Sequence, residues 1–195
     1  LYELLRSLEP YQRDIIYLSM SQNYTDRDIG EKFMQSKTIV FTKPETAELL
    51  TKELPDVAAD KVMVKMEYTV VSGGTERALI MGMPNTSQHF PVSSGYCGVG
   101  FVIKTGEAVK KVGAGDRVLV YHGIHTEYNI VPESDVTKVE SDDIDSLDAA
   151  FVIIASMGLG GVRKLEIELG ESAMIMGLGL LGMFSVQFCR LSGAN

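Results

Sequence analysis

The chain has 195 residues, 45% of them apolar, which is enough for a packed core and excludes global disorder. A net charge of -8 and a pI near 4.9 exclude bulk attraction to nucleic acid or anionic lipid, which needs clustered positive charge. Two cysteines, Cys97 and Cys189, without paired spacing exclude a disulfide scaffold or a four-cysteine zinc lobe and predict a reducing, cytoplasmic setting. The opening LYELLRSLEP has no signal-peptide apolar core.

Residues 1–33 read as a short helical appendage. Leu4, Leu5 and Leu8, then Ile15, Ile16 and Leu18, recur at helical spacing; Pro10 suits a first helical turn and Thr25 an N-cap. LEPYQRDIIYLS and YTDRDIGEKF resemble the helix-turn-helix of sigma-factor-like bacterial regulators. In that family the next helix enters the major groove, but the matching stretch here, Met34–Val40, reads as a strand because Thr38–Thr42 is β-branched and aromatic. Four basic residues against six acidic ones in residues 1–33 give the wrong sign for a DNA reader, so no nucleic-acid partner is expected.

Residues 34–148 read as a largely β domain. Met34 looks like the native start of a separate protein. A strand follows it, then a turn at Lys43-Pro44-Glu45 and a second strand or short helix. Alternating runs come next, KVMVKMEYTVVSGG, GFVIKTG, DRVLVYHG and EYNIVPE, separated by Gly, Pro and Asp turns. Ser141–Asp148 is acidic and reads as surface loop. Residues 149–195 complete the chain. The stretch from Asp148 predicts an apolar helix ending near Glu168-Leu169-Gly170, and SAMIMG a short strand apolar on both faces, as in a parallel sheet. Eighteen uncharged residues, Ser172–Cys189, reach the lower limit for a membrane span, but three spaced glycines favour a buried strand-turn-helix, so no membrane partner is expected.

Gly177, Gly179 and Gly182 form G-x-G-x-x-G between that strand and an apolar helix, the context in which the pattern carries chemistry. The first glycine permits a tight turn, the second lets backbone approach a pyrophosphate, and the third permits close packing of the helix. The N–H groups of Leu180, Leu181 and Gly182 then face the anion at the helix N-terminus. Ligand-free packing of an apolar helix is the competing reading.

SGGTE near position 75, SGYCGVG near 96, GAGDRVLV near 115 and the glycine turn at 177 occur in the order seen in the medium-chain dehydrogenase/reductase superfamily. Residues 34–195 resemble it throughout. The resemblance implies an α+β, mostly β, architecture. A GroES-like catalytic domain spans residues 34–148 and the truncated start of a Rossmann domain spans residues 149–195, preceded by the helical appendage. It also implies an oxidoreductase using NAD or NADP on a small alcohol or carbonyl substrate, and leaves a homo-oligomer open. The acidic residue that reads the adenosine ribose falls past Asn195, about 20 residues beyond the glycine turn, so NAD and NADP are not distinguished.

The family's zinc ligands align with Gly73, Tyr96 and Ile154. Glycine and isoleucine offer no donor and tyrosine a poor one, so no zinc is expected. Carbonyl polarisation then falls to hydrogen-bond donors, the candidates being Tyr96, His122 and Tyr121. The histidine pair His122 and His125 lacks a third ligand nearby; Cys97 reads as a buried small hydrophobe; Glu76 and Arg77 read as a surface or domain-interface pair or as substrate contacts. The fragment is expected to be inactive alone, with weak dinucleotide affinity and a C-terminal part that is mobile or self-associates. The alternative is a DNA-binding regulator with a ligand-sensing dehydrogenase-like domain; a fusion without activity is a third reading.

Overall fold

The structure, a computed structural model, describes residues 34–194. The helix-turn-helix-like reading of residues 1–33 lies outside the described residues. The chain forms two compact units that divide between Ala150 and Phe151.

The first unit holds two antiparallel sheets. β1 (Gln35–Lys43) pairs on one side with β2 (Thr46–Glu53), through the expected turn at Pro44, and on the other with the two-residue β4 (Val92–Ser93). β2, open to strand or helix in the sequence, is a strand. The second sheet contains β3 (Lys61–Thr69), β5 (Cys97–Thr105), β6 (Arg117–Tyr121), β7 (Tyr128–Pro132) and β8 (Val136–Lys138), in the order β7-β3-β5-β6-β8. Its core follows from period-two alternation of β-branched residues. Val62, Val64 and Met66 of β3 pack with Val102, Val118, Val120, Val131 and Val136, all buried. Each such side chain contributes roughly 1.5–3 kcal/mol by leaving water.

The two sheets are joined where the segment before β7 runs beside β1. Ile39 N–H donates to the His125 carbonyl at 2.9 Å and Glu127 N–H to the Lys37 carbonyl at 3.0 Å. The buried hydroxyls of Ser36 and Thr38 each lie 2.7 Å from Thr126 Oγ1. Between β3 and β4 comes helix α1 (Gly73–Ile80). The sequence ran the strand pattern on through Ser72-Gly73-Gly74, whereas the strand stops at Thr69. The helix instead begins at Gly73 behind Ser72, whose N–H donates to Glu76 Oε1 at 2.9 Å.

The apolar helix expected from Asp148 to Gly170 is two helices. α2 (Ser146–Ala150) closes the first unit, and α3 (Val152–Lys164) belongs to the second and stops six residues early. In the second unit α3 packs on α4 (Leu180–Leu191); a side chain at Gly158 would press on Phe184 and Ser185 at 3.3 Å, so this small residue sets how closely the helices approach. SAMIMG is not a strand. Met174 and Met176 are 82% and 86% exposed, and no other strand is described in this unit to accept its backbone hydrogen bonds, without which extended chain is not held as sheet. Among the described residues no helix is long and apolar enough to cross a membrane.

Candidate active site

A buried polar cluster lies where α1, the β4–β5 turn and the segment before β7 meet. His125, 1% exposed, places Nδ1 2.8 Å from Thr69 Oγ1, and its Nε2 donates to both Glu76 oxygens at 2.9 and 3.0 Å. Glu76 also accepts from Ser94 Oγ at 2.9 Å and from the Ser72 N–H. Burial alone would raise the Glu76 pKa; the His125 hydrogen bond and charge, with the Ser72 and Ser94 donors, outweigh it and hold the carboxyl below its ordinary range. Glu76 is therefore not a surface group, one of the readings the sequence allowed, but is tied within the first unit.

Backbone holds His125 in place. Its N–H donates to the Ser94 carbonyl at 2.8 Å, its carbonyl accepts from Ile39, and the Asn129 side chain bonds both the N–H and the carbonyl of Ile124. Gly95 makes this approach feasible: its φ is +116°, and a Cβ there would meet the His125 nitrogen at 2.7 Å.

Of the donors named from sequence, Tyr96 is half-buried beside this cluster. Burial first, then its neighbours Cys97, Tyr121 and Glu76, raise its hydroxyl above the ordinary tyrosine range, so it stays protonated and able to donate. Cys97, 3% exposed, has its thiol pushed up to about 11, mainly by burial, in keeping with a small hydrophobe rather than a nucleophile. Tyr121 and His122 stack on each other with ring centroids 3.7 Å apart. His122 stands outside the cluster: its side chain is 60% exposed, its φ is +58°, and its Nδ1 lies 3.3 Å from Asp135 Oδ2. The sequence reading passed over His125, Thr69 and Ser94 as site residues. The one local signal was a second histidine three residues after His122.

In the second unit the glycine turn opens α4 as expected. Gly177 has φ +92°, and the first intrahelical bond runs from Met183 N–H to the Gly179 carbonyl at 2.9 Å. The N–H groups of Leu180, Leu181 and Gly182 thus lack intrahelical acceptors. A Cβ on Gly179 would meet nothing within 4 Å, leaving an open approach to these donors, while a Cβ on Gly182 would collide with the Gly177 carbonyl. This is a cradle that fits a dinucleotide pyrophosphate.

Zinc fits poorly. Gly73 has no side chain and only open space around it, and Ile154 is a buried aliphatic. The nearby groups with ligating chemistry are committed: both His125 nitrogens and both Glu76 oxygens are hydrogen-bonded, and Cys97 is held as the thiol. Among the described residues no three His, Cys, Asp or Glu side chains gather as a metal site.

No family model matches the chain. Comparison with individual proteins does find relatives. The chain is 23% identical over 194 residues to the uncharacterised zinc-type alcohol dehydrogenase-like protein YdjJ of Escherichia coli, covering 83% of this chain and 56% of that protein. It is also 23% identical to (R,R)-butanediol dehydrogenase of Bacillus subtilis, covering 73% of this chain and 51% of that one. Among solved structures, a zinc-binding dehydrogenase of Sinorhizobium meliloti bound to NADP superimposes with a TM-score of 0.72 at 25% identity, covering 83% of this chain and 55% of that one. The chain thus spans about half the length of the relatives it matches. These and other relatives are named as dehydrogenases or alcohol dehydrogenase-like proteins, three of the latter as zinc-type, so the DNA-binding alternative is not favoured. The described residues carry the fold of these proteins over 83% of this chain, with a GroES-like β unit followed by helices.

Proposed function

We propose that this chain is part of an NAD(P)-dependent oxidoreductase acting on a small alcohol or carbonyl compound without zinc. The observation that carries the reading is the Gly177–Gly182 turn at the start of α4, which leaves open N–H donors behind a GroES-like β unit whose fold dehydrogenases share. The nicotinamide cofactor, when bound, would supply or accept the hydride. The chain's own residues do the rest. Gly177, Gly179 and Gly182, with the N–H groups of Leu180 and Leu181, hold the pyrophosphate. Tyr96, kept protonated, donates to the carbonyl oxygen as negative charge develops there, with Tyr121 and His122 as the further donors the sequence named. Glu76 and His125 hold the turn that carries Tyr96.

Fluorescence titration of the intact chain with NADPH and NADH tests this, together with metal analysis of the same sample. Saturable binding is expected, with Gly179→Asp weakening it at least about tenfold by placing a carboxylate against the pyrophosphate. Tyr96→Phe, which leaves the glycine turn untouched, should keep the binding. Zinc should stay below about 0.1 per chain. Absence of saturable binding, or binding indifferent to Gly179→Asp, overturns the cofactor reading; one zinc per chain overturns the zinc-independent one.

A further inference from the structure

β2 is a free edge: among the described residues only β1 pairs with it, and its eight residues are exposed nearly throughout. Leu50, 37% exposed, lies opposite Thr38 and shares a face with Ser36, Thr38 and Val40, all buried; Leu49, 57% exposed, lies on the other face. An apolar residue on the core side of an unpaired edge is a place where the sheet can continue. We propose that β2 pairs antiparallel with β2 of a second copy of this chain, on a two-fold axis through Leu50.

The backbone restricts the register. Leu54 N–H donates to the Met34 carbonyl at 2.8 Å, extending the β1–β2 ladder one residue past Gln35↔Glu53. Hydrogen-bonded pairs alternate along an antiparallel ladder, so the even-numbered residues of β2 direct their amides to β1. In agreement, the Ile39 amide of β1 turns the other way, to His125. Ala47, Leu49, Thr51 and Glu53 are left with N–H and C=O groups facing outward. Two copies can therefore exchange hydrogen bonds only where these residues oppose one another, which requires the axis to pass through a residue of β2.

Charge selects among those axes. An axis through Glu48 or Lys52 brings like charges face to face. Axes through Leu49 or Thr51 leave both charges without a partner. The axis through Leu50 sets Glu48 opposite the other copy's Lys52, twice by symmetry, with the two Leu50 side chains meeting between them on the core face. Ala47 then bonds with Glu53 and Leu49 with Thr51 across the interface. Lys52 gives up only a 3.5 Å contact to Ser93 Oγ at the protein surface, the outer limit of a hydrogen bond.

Sedimentation of the intact chain over a range of concentrations tests the pairing, with circular dichroism to verify that each variant folds. A reversible dimer is expected. Lys52→Glu turns two attractive pairs into repulsive ones and should weaken it about tenfold, and Glu48→Lys combined with Lys52→Glu should restore it. Thr51→Pro, which removes an outward N–H and leaves the bonds to β1 in place, should abolish it. Leu50→Cys should give a disulfide-linked dimer on mild oxidation, because facing residues at a non-hydrogen-bonded site have Cα atoms about 4.5 Å apart. A monomer at every concentration overturns the proposal. So does a dimer that ignores both Lys52→Glu and Thr51→Pro, since association then runs through another surface, such as the exposed apolar residues of the second unit. Loss with Lys52→Glu that the double reversal does not repair overturns the register.

Discussion

Glu76 keeps its charge in a half-enclosed site because three donors surround it: His125 Nε2, Ser94 Oγ and the Ser72 N–H. Its folded pKa lies below the unfolded value near 4.5. The stabilisation it provides is therefore present above that value and lost as pH falls through the lower, folded one. Glu76→Gln should cost roughly 3 kcal/mol at pH 7, because His125 is left buried beside a neutral amide. The gap between variant and wild type in urea unfolding should then shrink as pH drops below about 4.5. A gap that stays constant from pH 7 to pH 3 would show that the carboxylate's charge is not what holds the cluster. None of this was visible from local pattern. His122 and His125 occupy one loop, and what separates an exposed histidine from a buried one is β1, whose Ser36 meets Thr126 across 90 residues of sequence. The burial of Cys97 was legible from its type, whereas Tyr96 was reached only through the family resemblance, as the residue aligned with a metal-ligand position.

At the level of elements, the strands of the first unit were readable from alternating valines, which fit a surface buried on one face only. Helix α1 was not, because two glycines at its start suppress the helical signal, and the Glu76 carboxylate that accepts the Ser72 N–H shows only in the fold. The predicted SAMIMG strand failed for the opposite reason: its composition is right, but a strand is completed by its neighbours. The β4–β5 turn is the most exacting element, since Gly95 combines a left-handed φ with contact to the His125 backbone. Gly95→Ala should destabilise the first unit by roughly 2–4 kcal/mol in urea unfolding. A change under about 0.5 kcal/mol would mean that the turn relaxes freely and does not position the cluster.

At the scale of the whole molecule the two units differ in how far they cover their apolar residues. The first buries a continuous valine core; the second leaves Leu169, Met174, Met176 and Leu191 more than four-fifths exposed. The fold class was legible even though solved structures that share it, over 83% of this chain, are only 22–25% identical in sequence. The bare segment before the glycine turn also has a redox consequence. Thioether sulfur in open solvent is readily converted to sulfoxide, which turns a flexible apolar side chain into a polar one. Met63 and Met66, 4% and 5% exposed inside the first unit, are shielded, whereas Met174 and Met176 are not. Dilute hydrogen peroxide should oxidise the latter pair at least about tenfold faster, read by peptide mass spectrometry. Equal rates would mean that the segment is covered in solution. Of the described methionines the two leading into the Gly177 turn are the most exposed, so oxidation is expected to begin there, and each sulfoxide formed would make the approach to that turn more polar.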